Sequence, residues 1–255
     1  MSNKREREKR REERLQEETK VDSGERRTRL LQIGAGAVFL AIVAVAVLIV
    51  VNSGGSSGGD ASNLKDVGSV DKLFNGIPQE ELVLGDPKAK VELIEYGDLQ
   101  CPVCKAFAEE ILPPVIENRV KNGDAKLVFR NFTIIGPQSA PAGAAALAAG
   151  AQGRGWNYLD LFYHNQGKEN SGYADDEFLT AVAKGAGVKD VAKWDEERKG
   201  AKLTGEVEDT FEQAQNFGFT GTPSFAIKGP SSNGIELLGT PSSPQELEEA
   251  IDDAS

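Results

Sequence analysis

The sequence predicts an α/β domain, in which one sheet has helices on both faces, preceded by a single transmembrane helix. The predicted elements follow the order β-α-β, a helical block, then β-β-α, which is typical of a sheet covered by helices on both sides. Residues 33–51 form an apolar run without a charge. The only two cysteines, Cys101 and Cys104, stand where a predicted strand leads into a predicted helix. They therefore mark the candidate reactive centre.

Residues 1–29 form a highly charged segment, with eleven Lys or Arg and eight Asp or Glu. No apolar stripe could dock this segment, which predicts a mobile cytoplasmic tail; a partner-binding helix is the alternative. The rest of the chain is acidic, with eighteen Lys or Arg against thirty-two Asp or Glu. Because an acidic surface repels the phosphate groups of nucleic acids, we expect no nucleic-acid partner.

The apolar run predicts a transmembrane helix over residues 30–51. Its nineteen uncharged residues and two preceding leucines nearly cross a hydrocarbon core of about 30 Å at a rise of about 1.5 Å per residue. Arg26, Arg27 and Arg29 come immediately before it. By the positive-inside rule we expect a single-pass protein of the cell membrane, with the N-terminus in the cytoplasm and the main domain outside.

A cleaved signal is the competing interpretation of the apolar run. Ala44-Val45-Ala46 has the small-x-small form of a cleavage site but lies inside the run, and Arg26-Arg27 resembles part of a twin-arginine signal. Either interpretation leaves the main domain on the same side of the membrane. Residues 52–63 are rich in Gly and Ser, which predicts a flexible tether with a reach of roughly 20 Å.

The folded domain is expected over residues 64–255. Its first predicted elements are strands at 82–84, 91–96 and 126–132, with a helix over 105–120 before the third strand that Pro113-Pro114 should kink. A strand–helix–strand unit of this kind predicts a parallel pair. The later elements are a mostly helical block over about 138–217, a hairpin of strands at 224–227 and 234–239, and a last helix with Ser243 at its N-cap and Pro244 in its first turn.

A Cys-x-x-Cys pair can open and close a small disulfide ring without large backbone motion. If a helix begins at Cys101, unsatisfied N–H groups and the helix dipole favour its thiolate, which is the nucleophile of thiol–disulfide exchange. The alternative is a static disulfide between Cys101 and Cys104 that does not turn over. With His164 as the only histidine, a four-ligand zinc site of Cys and His cannot form, and no metal is expected. His164 is interpreted as a surface or helix-packing residue, and Asp98 as a turn or capping residue.

The chain resembles the DsbA-like branch of the thioredoxin-fold proteins. The resemblance covers about residues 64–255, and it is carried by Gly85-Asp86-Pro87, by the run from Val91 to Cys104 and by Gly221-Thr222-Pro223-Ser224-Phe225. It implies an α/β thioredoxin fold (β-α-β / β-β-α) with an all-helical insertion over about 138–217. The dipeptide between the cysteines is Pro102-Val103 here, and not the Gly-Pro of thioredoxins.

This resemblance implies roles for the residues that match the family's motifs. Cys101 is expected to be the nucleophile that forms a mixed disulfide with a client protein, and Cys104 the more buried resolving thiol. The peptide bond before Pro223 is expected to be cis and to lie against the dithiol, while the backbone of Thr222 would pair with an extended client peptide.

Three further residues are expected to tune or assist the exchange. Pro102 and Val103 would restrict the loop and affect its redox properties. The family has a buried acid six residues before the first cysteine, and Glu95 matches it as a possible proton relay for Cys104. Alternation along the strand leaves open whether Glu95 is buried or a solvated strand residue.

The resemblance implies an extracytoplasmic thiol–disulfide oxidoreductase whose only redox group is the Cys101–Cys104 disulfide, without a separate cofactor. An outward-facing compartment favours a dithiol oxidase acting on thiol-containing exported proteins. Since the chain has no other cysteine, a membrane-embedded, quinone-linked reoxidant would have to restore the disulfide. A reductase or thiol-maintenance protein of the same fold is the alternative, as is a non-catalytic tethered binding module with a structural disulfide. A potential near about −120 mV would indicate an oxidase and one near about −270 mV a reductase.

Overall fold

The computed structural model describes residues 59–255. The predicted tail, transmembrane helix and first part of the tether lie outside the described residues. Within residues 59–255, no helix is both long and apolar enough to cross a membrane. The strands are β1 (Gln79–Glu80), β2 (Val83–Leu84), β3 (Val91–Gly97), β4 (Ala125–Asn131), β5 (Ser224–Lys228) and β6 (Glu236–Leu238).

These strands form one six-stranded sheet in the order β1-β2-β4-β3-β5-β6. The central pair, β3 and β4, is parallel, as the strand–helix–strand pattern predicts, and every other neighbouring pair is antiparallel. In β3, Glu95 lies opposite Phe129 of β4 and Phe225 of β5. The central strand therefore leads directly to the cysteine pair and places Glu95 between two large aromatic residues.

The helices of the described part largely follow the predicted order. They are α1 (Val67–Phe74), α2 (Pro102–Glu110), α3 (Leu112–Val115), α4 (Ser139–Gly150), α5 (Gly155–His164), α6 (Asp176–Gly185), α7 (Val191–Arg198), α8 (Ala201–Asn216) and α9 (Pro244–Ala254). A π-helical turn, Ile116–Val120, follows α3. The predicted kink at Pro113-Pro114 is confirmed, since α2 ends at Glu110 and prolines cannot donate the N–H groups that would continue it. Ser243 caps α9 as predicted.

Alternating side chains of the sheet contact helices on both faces. On one face, Leu93, Phe129 and Phe225 belong to the main apolar core together with residues of α2, α9 and the helical insertion. On the other face, Ile94 and Tyr96 pack with the C-terminal half of α8. The predicted sheet with helices on both faces and an inserted helical block is thus confirmed.

The insertion consists of α4 to α8, and its core depends on small residues. Helix α4 is alanine-rich and almost entirely buried, so the large side chain of Trp194 can approach closely and its indole N–H donates to the carbonyl of Ala145 at 2.8 Å. Helix α1 was not predicted, whereas α7 lies inside the predicted helical block. Helix α8 begins at Ala201, after an N-cap glycine that offers no side-chain signal for the helix start.

The folded domain begins before Leu64, inside the segment that the sequence assigns to the tether. Asp60 accepts a hydrogen bond from the N–H of Ser62 at 2.9 Å and caps a short 3-10 turn, Ala61–Asn63. The Lys184 side chain donates to the carbonyl of Gly59 at 3.0 Å. Gly59 lies against the α6 backbone, where a Cβ would clash. The lack of a side chain therefore lets this Gly pack instead of serving as a flexible linker.

Candidate active site

The cysteine pair lies at the start of α2, directly beyond the carboxyl end of β3. Cys101 is the N-cap of α2, and its Sγ accepts a hydrogen bond from the N–H of Cys104 at 3.4 Å. Pro102 occupies the first helical position, where the missing N–H would have no helical partner in any case. The predicted helix start at the first cysteine is confirmed, so the helix N-terminus points at Cys101.

Both cysteines are free thiols in this structure, but the pKa of Cys101 is lowered and that of Cys104 is raised. The pKa of Cys101 is lowered to about 6. The hydrogen bond from the Cys104 side chain has the largest effect, and the Thr222 side chain and backbone N–H groups have smaller ones, while burial acts in the opposite direction. Burial raises the pKa of Cys104 well above its ordinary value, and the neighbouring Cys101 and Glu95 raise it further. At neutral pH the reduced pair therefore holds one thiolate, on Cys101, and one thiol.

The loop before β5 contacts the reactive sulfur. The Thr222–Pro223 peptide is cis, as the resemblance implies, and the Sγ of Cys101 lies 3.3 Å from the carbonyl oxygen of Thr222. Two residues further on, the ring of Phe225 packs on Phe107 of α2 with their centroids 4.5 Å apart. This aromatic contact joins β5 to α2 and so keeps the loop beside the cysteine.

Glu95 is buried beneath the cysteine pair, which answers the question that strand alternation left open. Its residue exposure is 4%, and its Oε1 has no hydrogen-bond partner among the described residues. Burial, followed by the negative charge of Cys101, raises the pKa of Glu95 to about 8. A carboxyl with this pKa is largely protonated at neutral pH and can give a proton to a nearby sulfur.

Asp98 fixes the loop that carries the cysteines, in line with the predicted turn or capping role. Its carboxylate is fully buried and accepts hydrogen bonds from the N–H groups of Gln100, Ile134 and Ile135 at 2.8–2.9 Å. These bonds connect the segment before Cys101 with the loop after β4. The sequence signal was an Asp directly after a strand, but its long-range partners had no local signature.

The helical insertion also supports the active-site loop, through residues that the sequence analysis missed. The side-chain amide of Gln166 donates to the carbonyls of Leu99 at 2.7 Å and Cys101 at 3.0 Å. The hydroxyl of Tyr163 donates to the carbonyl of Asp98 at 3.3 Å. Both residues lie more than sixty positions after the loop, so no spacing in the sequence could indicate these contacts.

Exposed apolar side chains lie on the segments around the cysteine pair. Val103 is 55% exposed and Ile134 39% exposed, and Pro102 is also open to solvent. Ile134 belongs to the loop that Asp98 holds. Within residues 59–255, no group of three His, Cys, Asp or Glu side chains is arranged to hold a metal ion. The site thus combines an activated thiolate, a buried acid and an apolar rim.

Comparison with known proteins assigns the family. The sequence profile of a family described as Thioredoxin matches residues 78–253. The chain belongs to this family. It is 28% identical over 195 residues to a Bacillus cereus protein named "Probable disulfide bond formation protein D", covering 75% of this chain and 88% of that protein. It is also 32% identical over 170 residues to "Na(+)/H(+) antiporter NhaA 1" of Mycolicibacterium gilvum, but this match spans only 26% of the antiporter.

Solved structures agree with this assignment. BdbD from Bacillus subtilis, in its oxidised form, superposes with a TM-score of 0.61 at 20% identity, covering 70% of this chain and 97% of BdbD; at this identity the match shows the fold. A thioredoxin-like oxidoreductase from Silicibacter pomeroyi gives a TM-score of 0.56 at 27% identity, covering 72% of this chain and 96% of that protein. The DsbA-like thioredoxin fold implied by the resemblance is therefore confirmed.

Proposed function

We propose that this protein is a membrane-anchored, extracytoplasmic thiol–disulfide oxidase that introduces disulfides into exported proteins by exchange at Cys101 and Cys104. The protein is a disulfide oxidoreductase, in agreement with relatives named for disulfide bond formation. The observation that carries the assignment of Cys101 is the difference between the two sulfurs. One is a helix N-cap with a pKa of about 6, and the other is buried with a raised pKa.

This difference orders the steps of client oxidation. A client thiolate attacks Cys101 in the oxidised enzyme, which forms a client–Cys101 disulfide and releases the electron pair onto Cys104. Cys104 takes up a proton, since burial disfavours its charge. The second client thiolate then attacks the client sulfur of the mixed disulfide, and Cys101 leaves as a stable thiolate. The client loses two electrons, and the enzyme disulfide gains them.

The loop around Thr222 would hold the client during this exchange. Its cis peptide places backbone next to Cys101, and an extended client segment could pair with it as an added strand. The exposed side chains of Val103 and Ile134 offer apolar contacts that unfolded clients, with their exposed core residues, can use. This arrangement suits broad recognition of unfolded, thiol-containing proteins.

The membrane setting rests on the sequence. Residues 30–51 are long and apolar enough to anchor the chain, and Arg26, Arg27 and Arg29 orient the domain outward. Disulfides persist in such a compartment. Because the chain has no third cysteine, its reduced form needs an external acceptor, for which we propose a membrane-embedded, quinone-linked reoxidant.

Oxidation of a reduced peptide that contains two cysteines tests the proposed function. The oxidised full-length protein should convert the peptide to its disulfide form with one-to-one stoichiometry, and Cys101→Ser should abolish the reaction. Thr204→Val, a change at an exposed site on α8, serves as a control that should react at the wild-type rate. A Cys101→Ser protein that still oxidises the peptide contradicts the assignment.

A further inference from the structure

Beneath the cysteine pair, two buried carboxyl groups line the same small cavity. Glu95 of β3 and Asp160 of α5 both border a space of about 10 Å³, which is room for about one water molecule. Neither Glu95 Oε1 nor Asp160 Oδ2 has a hydrogen-bond partner among the described residues. Two buried acids that face one small space are costly to fold, and this cost calls for an explanation in terms of function.

The other walls of the cavity leave few routes for a proton. They are mainly apolar, formed by Phe74, Ala108, Leu112, Ile116, Phe129, Trp156 and Leu159. Tyr163 also lines the cavity, but its hydroxyl donates to the carbonyl of Asp98, and burial raises its pKa well above the ordinary value. Asp160 is therefore the group that can exchange a proton with Glu95 across this space.

Asp160 in turn leads to the surface through His164, one helical turn further along α5. Asp160 Oδ2 lies 3.6 Å from His164 Nε2, and the His164 side chain is 24% exposed. The other ring nitrogen of His164, Nδ1, lies 3.2 Å from Asp66 and 3.5 Å from Glu109. The polar groups thus continue from the cavity to carboxylates that solvent reaches.

We propose that Asp160 and His164 form a proton path that connects Glu95 with solvent during disulfide exchange. This inference rests on the proposed function. When the Cys101–Cys104 bond breaks, the electron pair on Cys104 takes a proton from Glu95. The resulting Glu95 carboxylate regains a proton from Asp160 across the cavity, and Asp160 is reprotonated through His164. Reoxidation of the dithiol reverses the direction.

The acidity of Asp160 suits this exchange near neutral pH. Burial and the negative charges of Glu109 and Asp66 raise its pKa to about 7, and the ammonium of Lys105 opposes them. Glu109 and Lys105 belong to α2 and Asp66 precedes α1, and their charges act on Asp160 from there. His164 lies on the same helix as Asp160. A group with this pKa accepts and gives protons with similar ease at pH 7.

Stopped-flow measurement of the reoxidation of the reduced full-length protein by oxidised glutathione, from pH 5 to 8, tests the path, because Glu95 must release its own proton before it can take the one on Cys104. Asp160→Asn should slow this step by about tenfold or more and remove an inflection near pH 7. The pKa of Cys101 should stay unchanged, which separates loss of the path from damage to the thiolate site. Asp209→Asn, which removes an exposed carboxyl on α8, is the matched control and should behave as wild type.

A second variant keeps the proposal testable if Asp160→Asn does not fold. His164→Gln changes a partly exposed residue and should slow the same step by about threefold, with a shifted pH profile. Wild-type rates and an unchanged profile in the folded variant contradict the path while leaving the oxidase function intact. A wild-type protein that does not oxidise the peptide contradicts the proposed function, and the proton path with it.

Discussion

The Sγ of Cys101 lies 3.3 Å from the carbonyl oxygen of Thr222, although 121 positions separate the two residues. The contact joins the N-terminus of α2 to the cis peptide before β5. It therefore brings the group that exchanges electrons next to the backbone that would hold a client.

Thr222→Val should raise the pKa of Cys101 by about one unit. The Thr222 side chain contributes to the lowered pKa of Cys101. Its buried hydroxyl makes no hydrogen bond with any described residue in this structure, and we expect it to turn toward the sulfur when Cys101 ionises. Valine keeps the shape of the side chain but cannot donate to a thiolate. The ultraviolet absorbance of the thiolate, followed against pH in the reduced protein, measures the shift. An unchanged pKa would show that the hydroxyl does not contact the thiolate.

Cys104→Ser should trap the mixed disulfide between Cys101 and a client. Without the second sulfur, Cys101 can bond to a client cysteine, but no enzyme thiol can resolve the bond. Non-reducing gels of the protein incubated with the disulfide-linked dimer of a one-cysteine peptide, in which the bound peptide has no second thiol to attack the bond, should show a covalent adduct that a reductant removes. Cys101→Ser is the matched control and should form none. An adduct in Cys101→Ser but not in Cys104→Ser would reverse the assigned roles.

Glu95→Gln should change how the stability of the reduced protein depends on pH. The folded protein keeps Glu95 protonated up to about pH 8, whereas the unfolded chain ionises it near pH 4.5. The contribution of protonated Glu95 to the free energy of unfolding should therefore be fully present below pH 4.5. It should fall as pH rises toward 8, because the unfolded state then binds fewer protons than the folded state. Glutamine does not ionise, so between pH 5 and pH 8 the free energy of unfolding of Glu95→Gln should fall by about 2–4 kcal/mol less than that of the wild type.

Denaturant unfolding at the two pH values measures this difference. Glu92→Gln is the control: Glu92 lies on the same strand but is partly exposed and paired with Lys126 at 3.1 Å. Its pH dependence should follow that of the wild type. Parallel curves for Glu95→Gln and wild type would mean that Glu95 is not held protonated in the folded protein.

Asp98→Asn should destabilise the domain by about 2–3 kcal/mol. The buried carboxylate accepts three backbone N–H groups, and an amide would place a donor where at least one acceptor is needed. The free energy of unfolding measures the effect. Asp86→Asn removes a similar carboxylate from an exposed turn, where it accepts from the N–H of Lys88, and should cost less than about 1 kcal/mol. Equal losses in the two variants contradict the structural role of Asp98.

Short-range sequence signals predicted the elements that form the site. Residues that lie close together in the sequence determine the strand before Cys101 and the helix that begins after it, and the same holds for the Ser243 cap of α9. The Thr222-Pro223 loop came from resemblance, because sequence alone does not determine a cis bond. Helix α1 was missed because its N-cap, Asp66, adopts a left-handed conformation and makes no capping hydrogen bond.

Burial of the polar residues could not be derived from the residues alone, because packing of distant elements decides it, and for Glu95 only the resemblance implied a buried acid. Glu92 and Glu95 are both glutamates of one strand, yet only Glu95 is buried under the helical insertion. The same applies to Asp160, which sits on a helix whose other residues are almost all apolar. Gln166 contacts the active-site loop only because α5 packs against α2. Such contacts appear once the chain is folded.

The reduction potential of the Cys101–Cys104 pair, measured on the full-length protein in glutathione buffers at pH 7, tests the central claim most directly. A Cys101 pKa of about 6 stabilises the reduced form and makes the disulfide a stronger oxidant. We expect a potential less negative than about −200 mV, on the side of known dithiol oxidases. A potential near about −270 mV, or a disulfide that stays closed in these buffers, would contradict an oxidase.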